Sequence, residues 1–143
     1  MSHVYGITLS GKCLECIRKI ENGTVGECTK DANGTVLSCG PFRIGEEYWK
    51  ICSNGGKNND TVTCSMTITK SVPLDKDWQT CAKQLACSET CVRNYMSLQD
   101  TVPTGGNRFV TCPNIACLHR EGPKRCSDEK VSKDFLQKHS NVC

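Results

Sequence analysis

A chain of 143 residues has room for one modest core, and with 37% of its residues hydrophobic, 13 cysteines among them, that core is thin enough to need covalent support. The 18 Lys and Arg against 15 Asp and Glu leave a net charge of +3, a bias compatible with an anionic surface; the basic-aromatic interleaving and the cysteine/histidine framework of a nucleic-acid binder are missing. No run is apolar and long enough to span a bilayer, so membrane insertion is not expected, and residues 1–12 read as a flexible arm ahead of the first cysteine.

The cysteines run from Cys13 to Cys143, the usage of a disulfide scaffold in an oxidising compartment, and they predict a secreted, extracellular protein. Zinc is the rival. Cys13 and Cys16 form a C-x2-C pair, yet no second such pair follows, and His3, His119 and His139 do not stand at ligand spacing. No metal and no cofactor is expected. An odd count leaves one cysteine over after six internal bridges, so the expected state is a monomer with one thiol free or bridged to another molecule.

In chain order, Cys13, Cys16, Ile17 and Ile20 recur at i, i+3, i+4 and i+7, which predicts a helix over residues 13–21 stopped by Asn22-Gly23. Asn33-Gly34, between short β-forming arms, predicts a hairpin with a type I′ turn and Asp31 on its first arm. Glu46 to Cys52 reads as a short helix with Tyr48 and Trp49 as core aromatics. Residues 53–76 are polar at first and then alternate through Thr61–Thr69, an insertion too poor in apolar residues to hold its own core. Helical spacing resumes at Asp77 and runs to about Met96, broken near Cys87. A loop at Gly105-Gly106, a short helix over 113–119 stopped before Gly122-Pro123, and a last amphipathic segment over 128–139 complete the chain. The fold class is α+β, mainly helical with a small β-hairpin lobe, as a single domain over residues 13–143.

Two carboxylates gain interest from this layout. Glu21 closes the first helix and Asp31 lies ten residues later on the hairpin, so both can face one groove. Glycoside hydrolysis needs that combination: a protonated acid for the leaving oxygen and an ionised carboxylate for the oxocarbenium-like centre. Ser38, Pro41 and Phe42 follow the hairpin, where backbone groups and an aromatic wall could hold a sugar; ordinary turn and core packing is the alternative. Tyr48 is a further candidate sugar platform.

Cys13-Leu14-Glu15-Cys16-Ile17-Arg18-Lys19-Ile20-Glu21, Gly26-Glu27-Cys28-Thr29-Lys30-Asp31, Leu37-Ser38-Cys39-Gly40-Pro41-Phe42-Arg43-Ile44 and Tyr48-Trp49-Lys50-Ile51-Cys52 together resemble the invertebrate-type lysozyme (destabilase) family. The likeness continues through Trp78-Gln79-Thr80-Cys81, Cys87 to Met96, and Ala116 to Cys126, so it covers nearly the whole chain from Cys13 to Cys143. It implies a lysozyme-like fold in a divergent member. It also implies hydrolysis, with retention, of the β-1,4 bond between N-acetylmuramic acid and N-acetylglucosamine in bacterial peptidoglycan or a related N-acetylglucosamine oligosaccharide. In that reading Glu21 is the acid/base and Asp31 the nucleophile or cation stabiliser, with carboxyl groups roughly 5–5.5 Å apart. His119 matches a histidine that the family keeps at its cleft.

The departures from the family point to changed staples. Arg18 stands where the family has a third early cysteine, and the cysteine usual soon after the catalytic Glu is absent. Arg43 replaces a usual Gln and adds a five-donor fork beside the groove, a further candidate substrate contact. Cys64 and Cys117 look additional and could bridge each other. Three N-glycosylation sequons begin at Asn22, Asn33 and Asn59, the first beside the proposed acid. The alternative function is a catalytically weakened carbohydrate-binding or inhibitor-like module. Isopeptide cleavage through Ser53, Lys57 and His119, known for some destabilases, ranks third.

Overall fold

A computed structural model of the protein describes residues 9–53, 77–98 and 111–142. Most of the expected insertion, with Lys57, Asn59 and Cys64, lies outside the described residues, as do the loop at Gly105-Gly106 and Cys143. The described residues form six helices and one two-stranded antiparallel sheet, the mainly helical α+β class that the sequence predicts. Contacts gather the chain into two compact units, residues 1–20 with 96–143, and residues 21–95.

Helix α1 (Gly11–Glu21), all but its last residue in the first unit, begins two residues before the first cysteine. Ser10 Oγ accepts the Cys13 N–H at 3.1 Å, supplying the helix with an N-terminal partner, and Leu9 is buried. The flexible arm expected over residues 1–12 therefore does not reach residues 9–12. Cys13, Leu14, Cys16, Ile17 and Ile20 form the buried face of α1, matching the predicted stripe.

Two further helices complete this unit, α5 (Cys112–Cys126) and α6 (Glu129–Lys138). Thr111 caps α5 by accepting the Asn114 N–H, and Pro113 takes a first-turn position where it needs no donor. The short helix predicted over 113–119 is longer in the structure. Gly122 (φ 85°, ψ 164°) breaks it ahead of Pro123, and the chain then makes another turn to Cys126, which is disulfide-bonded to Cys117. That pairing replaces the Cys64–Cys117 bridge suggested by the resemblance. Asp128 and His139, the ends of the last predicted segment, are its caps; Asp128 Oδ1 accepts from the N–H groups of Lys130 and Val131 at 2.9 and 3.2 Å. Helix α6 packs on α5 with Phe135 buried. The Cys13–Cys112 disulfide ties α1 to the start of α5, and Cys16 is disulfide-bonded as well.

The second unit contains β1 (Cys28–Lys30), β2 (Val36–Cys39), and helices α2 (Glu46–Ser53), α3 (Asp77–Lys83) and α4 (Leu85–Ser97). Cys28 pairs with Cys39 in the strand register and is disulfide-bonded to it. Helix α3 packs against both β2 and α2. The Cys52–Cys91 disulfide joins α2 to α4, and Phe42, Ile44, Cys52, Cys81 and Val92 are fully or almost fully buried. The helix break expected near Cys87 falls at Gln84. Its N–H ends α3 on the Cys81 carbonyl while its own carbonyl accepts the Ser88 N–H of α4, and the Cys81–Cys87 disulfide spans the break.

Candidate active site

Glu21 is the last residue of α1 and is 5% exposed, the one buried carboxylate among the described residues. The chain turns immediately after it. Asn22 adopts the left-handed conformation (φ 54°) that ends the helix, as the Asn22-Gly23 signal predicts. Arg43 then comes back onto this end from the far side of the hairpin. Its Nε donates to the Glu21 carbonyl at 2.5 Å and one terminal nitrogen reaches the Asn22 carbonyl at 3.5 Å. A guanidinium on the last carbonyls of a helix satisfies acceptors that have no partner within the helix and places positive charge at the negative end of its dipole.

Glycines hold the surrounding turns together by close main-chain approach. A Cβ at Gly23 would overlap the Gly40 carbonyl, and one at Gly40, itself at φ 82°, would overlap the Ala82 carbonyl. The Gly40 N–H donates to the Glu27 carbonyl at 2.8 Å and the Gly26 N–H to the Lys83 carbonyl at 2.9 Å. The exit from α1, the exit from the hairpin and the end of α3 thus meet as packed backbone.

Asp31 is exposed and lies just past the end of β1, in the turn rather than on the arm. Its Oδ1 accepts the N–H groups of Asn33 and Thr35 at 2.8 and 2.9 Å, and its backbone pairs with Thr35 and Gly34. The expected type I′ turn is not formed. That turn requires positive φ at both central residues, whereas only Gly34 (φ 84°) is left-handed here, because the Asp31 side chain organises a tight turn of another kind. One carboxylate oxygen of Asp31 is thereby committed to the backbone, and the other makes no hydrogen bond among the described residues.

Ser38, a predicted sugar contact, faces Thr29 across the strands, with their hydroxyl oxygens 2.8 Å apart. This pair, with Asn22, Glu27 and Arg43, lines a pocket of about 170 Å³. Glu27 and Thr29 were not among the predicted site residues. Pairing the arms through Cys28 and Cys39 would have placed Thr29 opposite Ser38.

Residues 10–143 match the Destabilase family. Lysozyme 1 of Crassostrea virginica is 34% identical over 137 residues, 94% of this chain and 61% of that protein, so the chain spans about three fifths of that relative's length. An invertebrate-type lysozyme of Ruditapes philippinarum is 31% identical over 135 residues, 91% of this chain and 81% of the relative. The chain belongs to the invertebrate-type lysozyme (destabilase) family. The crystal structure of Tapes japonica lysozyme superposes with a TM-score of 0.62 at 26% identity, covering 98% of this chain and 94% of that one. An inhibitor-bound lysozyme from Meretrix lusoria matches equally well, at 28% identity over 96% and 93% of the two chains.

Not every expected contact residue of this family member lies where the sequence suggested. Pro41 and Phe42 are buried, Phe42 completely, so they build the core beneath the hairpin exit and offer no open aromatic wall. Tyr48 is half-buried and stacks on Tyr95, with ring centroids 3.9 Å apart and planes within 6°, which serves the core first. Desolvation by burial raises the Tyr95 pKa above 10.0. His119 is buried in α5 of the first unit, 7% exposed. Ser53 ends α2, half-buried. Among the described residues no group of three or more His, Cys, Asp or Glu side chains is placed to hold a metal ion, and no helix is long and apolar enough to cross a membrane.

Proposed function

We propose that this chain is a secreted muramidase that cleaves the β-1,4 N-acetylmuramic acid to N-acetylglucosamine bond of peptidoglycan with retention, Glu21 acting as acid/base and Asp31 as nucleophile. The observation that carries the reading is the contrast between the two carboxylates: Glu21 is 5% exposed at a braced helix end, whereas Asp31 is solvated on a turn. Two-carboxylate hydrolysis uses such a pair of unlike environments, a shielded carboxyl as acid/base and a wetter one as nucleophile. Glu21 would protonate the glycosidic oxygen as Asp31 attacks the anomeric carbon, and Glu21 would then activate the water that releases the sugar. No metal or organic cofactor enters this chemistry. Disulfide bonding of every described cysteine suits an extracellular site of action.

The test is lysis of purified peptidoglycan by the oxidised protein beside Glu21→Gln and Asp31→Asn variants of matched thermal stability. The expected outcome is active parent protein and a loss of roughly 10²–10⁴-fold in each variant. A parent that binds the wall polymer without cleaving it would identify a carbohydrate-binding relative instead, and variants of undiminished activity would remove the pair from the mechanism.

A further inference from the structure

We infer that Asn22 and Asn33 are N-glycan acceptors whose sugars flank the two carboxylates and limit the access of polymeric substrate. The inference rests on the assignment of Glu21 and Asp31 above. Both asparagines open sequons, Asn22-Gly23-Thr24 and Asn33-Gly34-Thr35, and each stands within two residues of one carboxylate. Both sequons fall on turns outside the helices and strands. Asn22, Thr24, Asn33 and Thr35 are all exposed, and neither asparagine carboxamide makes a hydrogen bond among the described residues. The Asn33 N–H is held by Asp31 and the Asn22 carbonyl by Arg43, so the backbones are fixed while the side-chain amides remain available. The left-handed φ of Asn22 turns the chain out of α1 without a demand on its side chain.

Attachment requires a lipid-linked oligosaccharide diphosphate as donor. The bond between Asn Nδ2 and the sugar C1 forms, the bond from C1 to the diphosphate oxygen breaks, and the amide proton leaves with the diphosphate. The first sugar so attached is N-acetylglucosamine. At Asn22 it would stand at the rim of the 170 Å³ pocket lined by the Thr29 and Ser38 hydroxyls, Glu27 and Arg43. A group held on so short a tether has an effective concentration on the order of millimolar, so even a millimolar sugar contact is about half occupied by the protein's own glycan. At Asn33 the glycan extends from the hairpin tip beside Asp31, where bulk obstructs an insoluble wall more than a short soluble oligosaccharide.

The full chain, secreted from a glycosylating host, is mapped by peptide mass before and after peptide N-glycosidase, which converts each modified Asn to Asp. Lysis of insoluble peptidoglycan and hydrolysis of a short chitooligosaccharide are then compared for glycosylated protein, deglycosylated protein, and the Thr24→Ala and Thr35→Ala variants. These variants remove the sequons while keeping Asn22 and the main-chain bonds of the hairpin turn. Expected are Asp marks at positions 22 and 33, and a lysis rate that rises about twofold or more on deglycosylation, with a smaller rise on the soluble substrate. Unmodified Asn22 and Asn33 in folded, secreted protein would overturn the acceptor assignment; occupied sites whose removal leaves lysis unchanged would overturn the access role. Protein freed of both glycans by Thr24→Ala with Thr35→Ala, which keeps both asparagines, and still unable to lyse would count against the muramidase reading, while the mass map would still decide the acceptor sites.

Discussion

Arg43 has two claims on its side chain. Expected as a substrate contact, it lines the pocket beside Thr29 and Ser38, and its guanidinium also donates to the carbonyls of Glu21 and Asn22. The two cysteines that the family resemblance leads one to expect around the acid are absent here, and Arg43 supplies a non-covalent clamp at that helix end. Side-chain placement in a catalytic pair is sensitive at the scale of 1 Å, where about 10²-fold in rate is at stake. Arg43→Ala should therefore lower kcat on a soluble oligosaccharide about 10- to 100-fold, with KM and the thermal midpoint nearly unchanged because the side chain is exposed. Arg43→Lys, which lacks the fork, should recover only part of the loss. A variant whose KM rises while kcat holds would make Arg43 a sugar contact after all.

The hairpin shows how local chemistry overrides a motif at the scale of an element. Asn33-Gly34 was a sound turn signal and the turn is there, but Asp31 decides its type by accepting two amide protons with one oxygen. The proposed nucleophile is thus also a structural residue. Asn retains a carbonyl oxygen for those amides and Ala does not, so Asp31→Asn should fold like the parent, whereas Asp31→Ala should lose about 1 kcal/mol more in chemical denaturation. Equal stability of the two variants would show that the turn holds without the side chain. Regular pattern made other elements legible in advance: the stripe on α1, the Asn22-Gly23 stop, and the amphipathic α6 with its Asp128 cap. What the pattern left hidden depends on partners distant in sequence. Phe42 is buried by the meeting of the hairpin exit with its surroundings, Arg43 reaches back 22 residues to Glu21, and Cys117 pairs with Cys126 across the Gly122 break.

Across the whole molecule, disulfides carry stability that a thin core does not, and within residues 21–95 three of them divide two tasks. The Cys52–Cys91 bridge closes a separation of 39 residues, Cys28–Cys39 one of 11 and Cys81–Cys87 one of 6. Chain entropy ranks their stabilisation by loop length, at about 3.9, 2.8 and 2.2 kcal/mol respectively. Position ranks their effect on function differently, because Cys28–Cys39 clamps the base of the hairpin that carries Asp31 and the Thr29–Ser38 pair. Replacing Cys52 and Cys91 together by Ala should lower the urea midpoint most, yet leave the specific activity of the folded fraction close to the parent's. Replacing Cys28 and Cys39 should cost less stability and more activity, since the base of the hairpin that carries Asp31 and the Thr29–Ser38 pair would no longer be clamped. Urea unfolding and peptidoglycan lysis measured on the same two double variants decide between this division and a single common role. If activity falls in proportion to lost stability in both, the hairpin bridge has no separate part in placing Asp31.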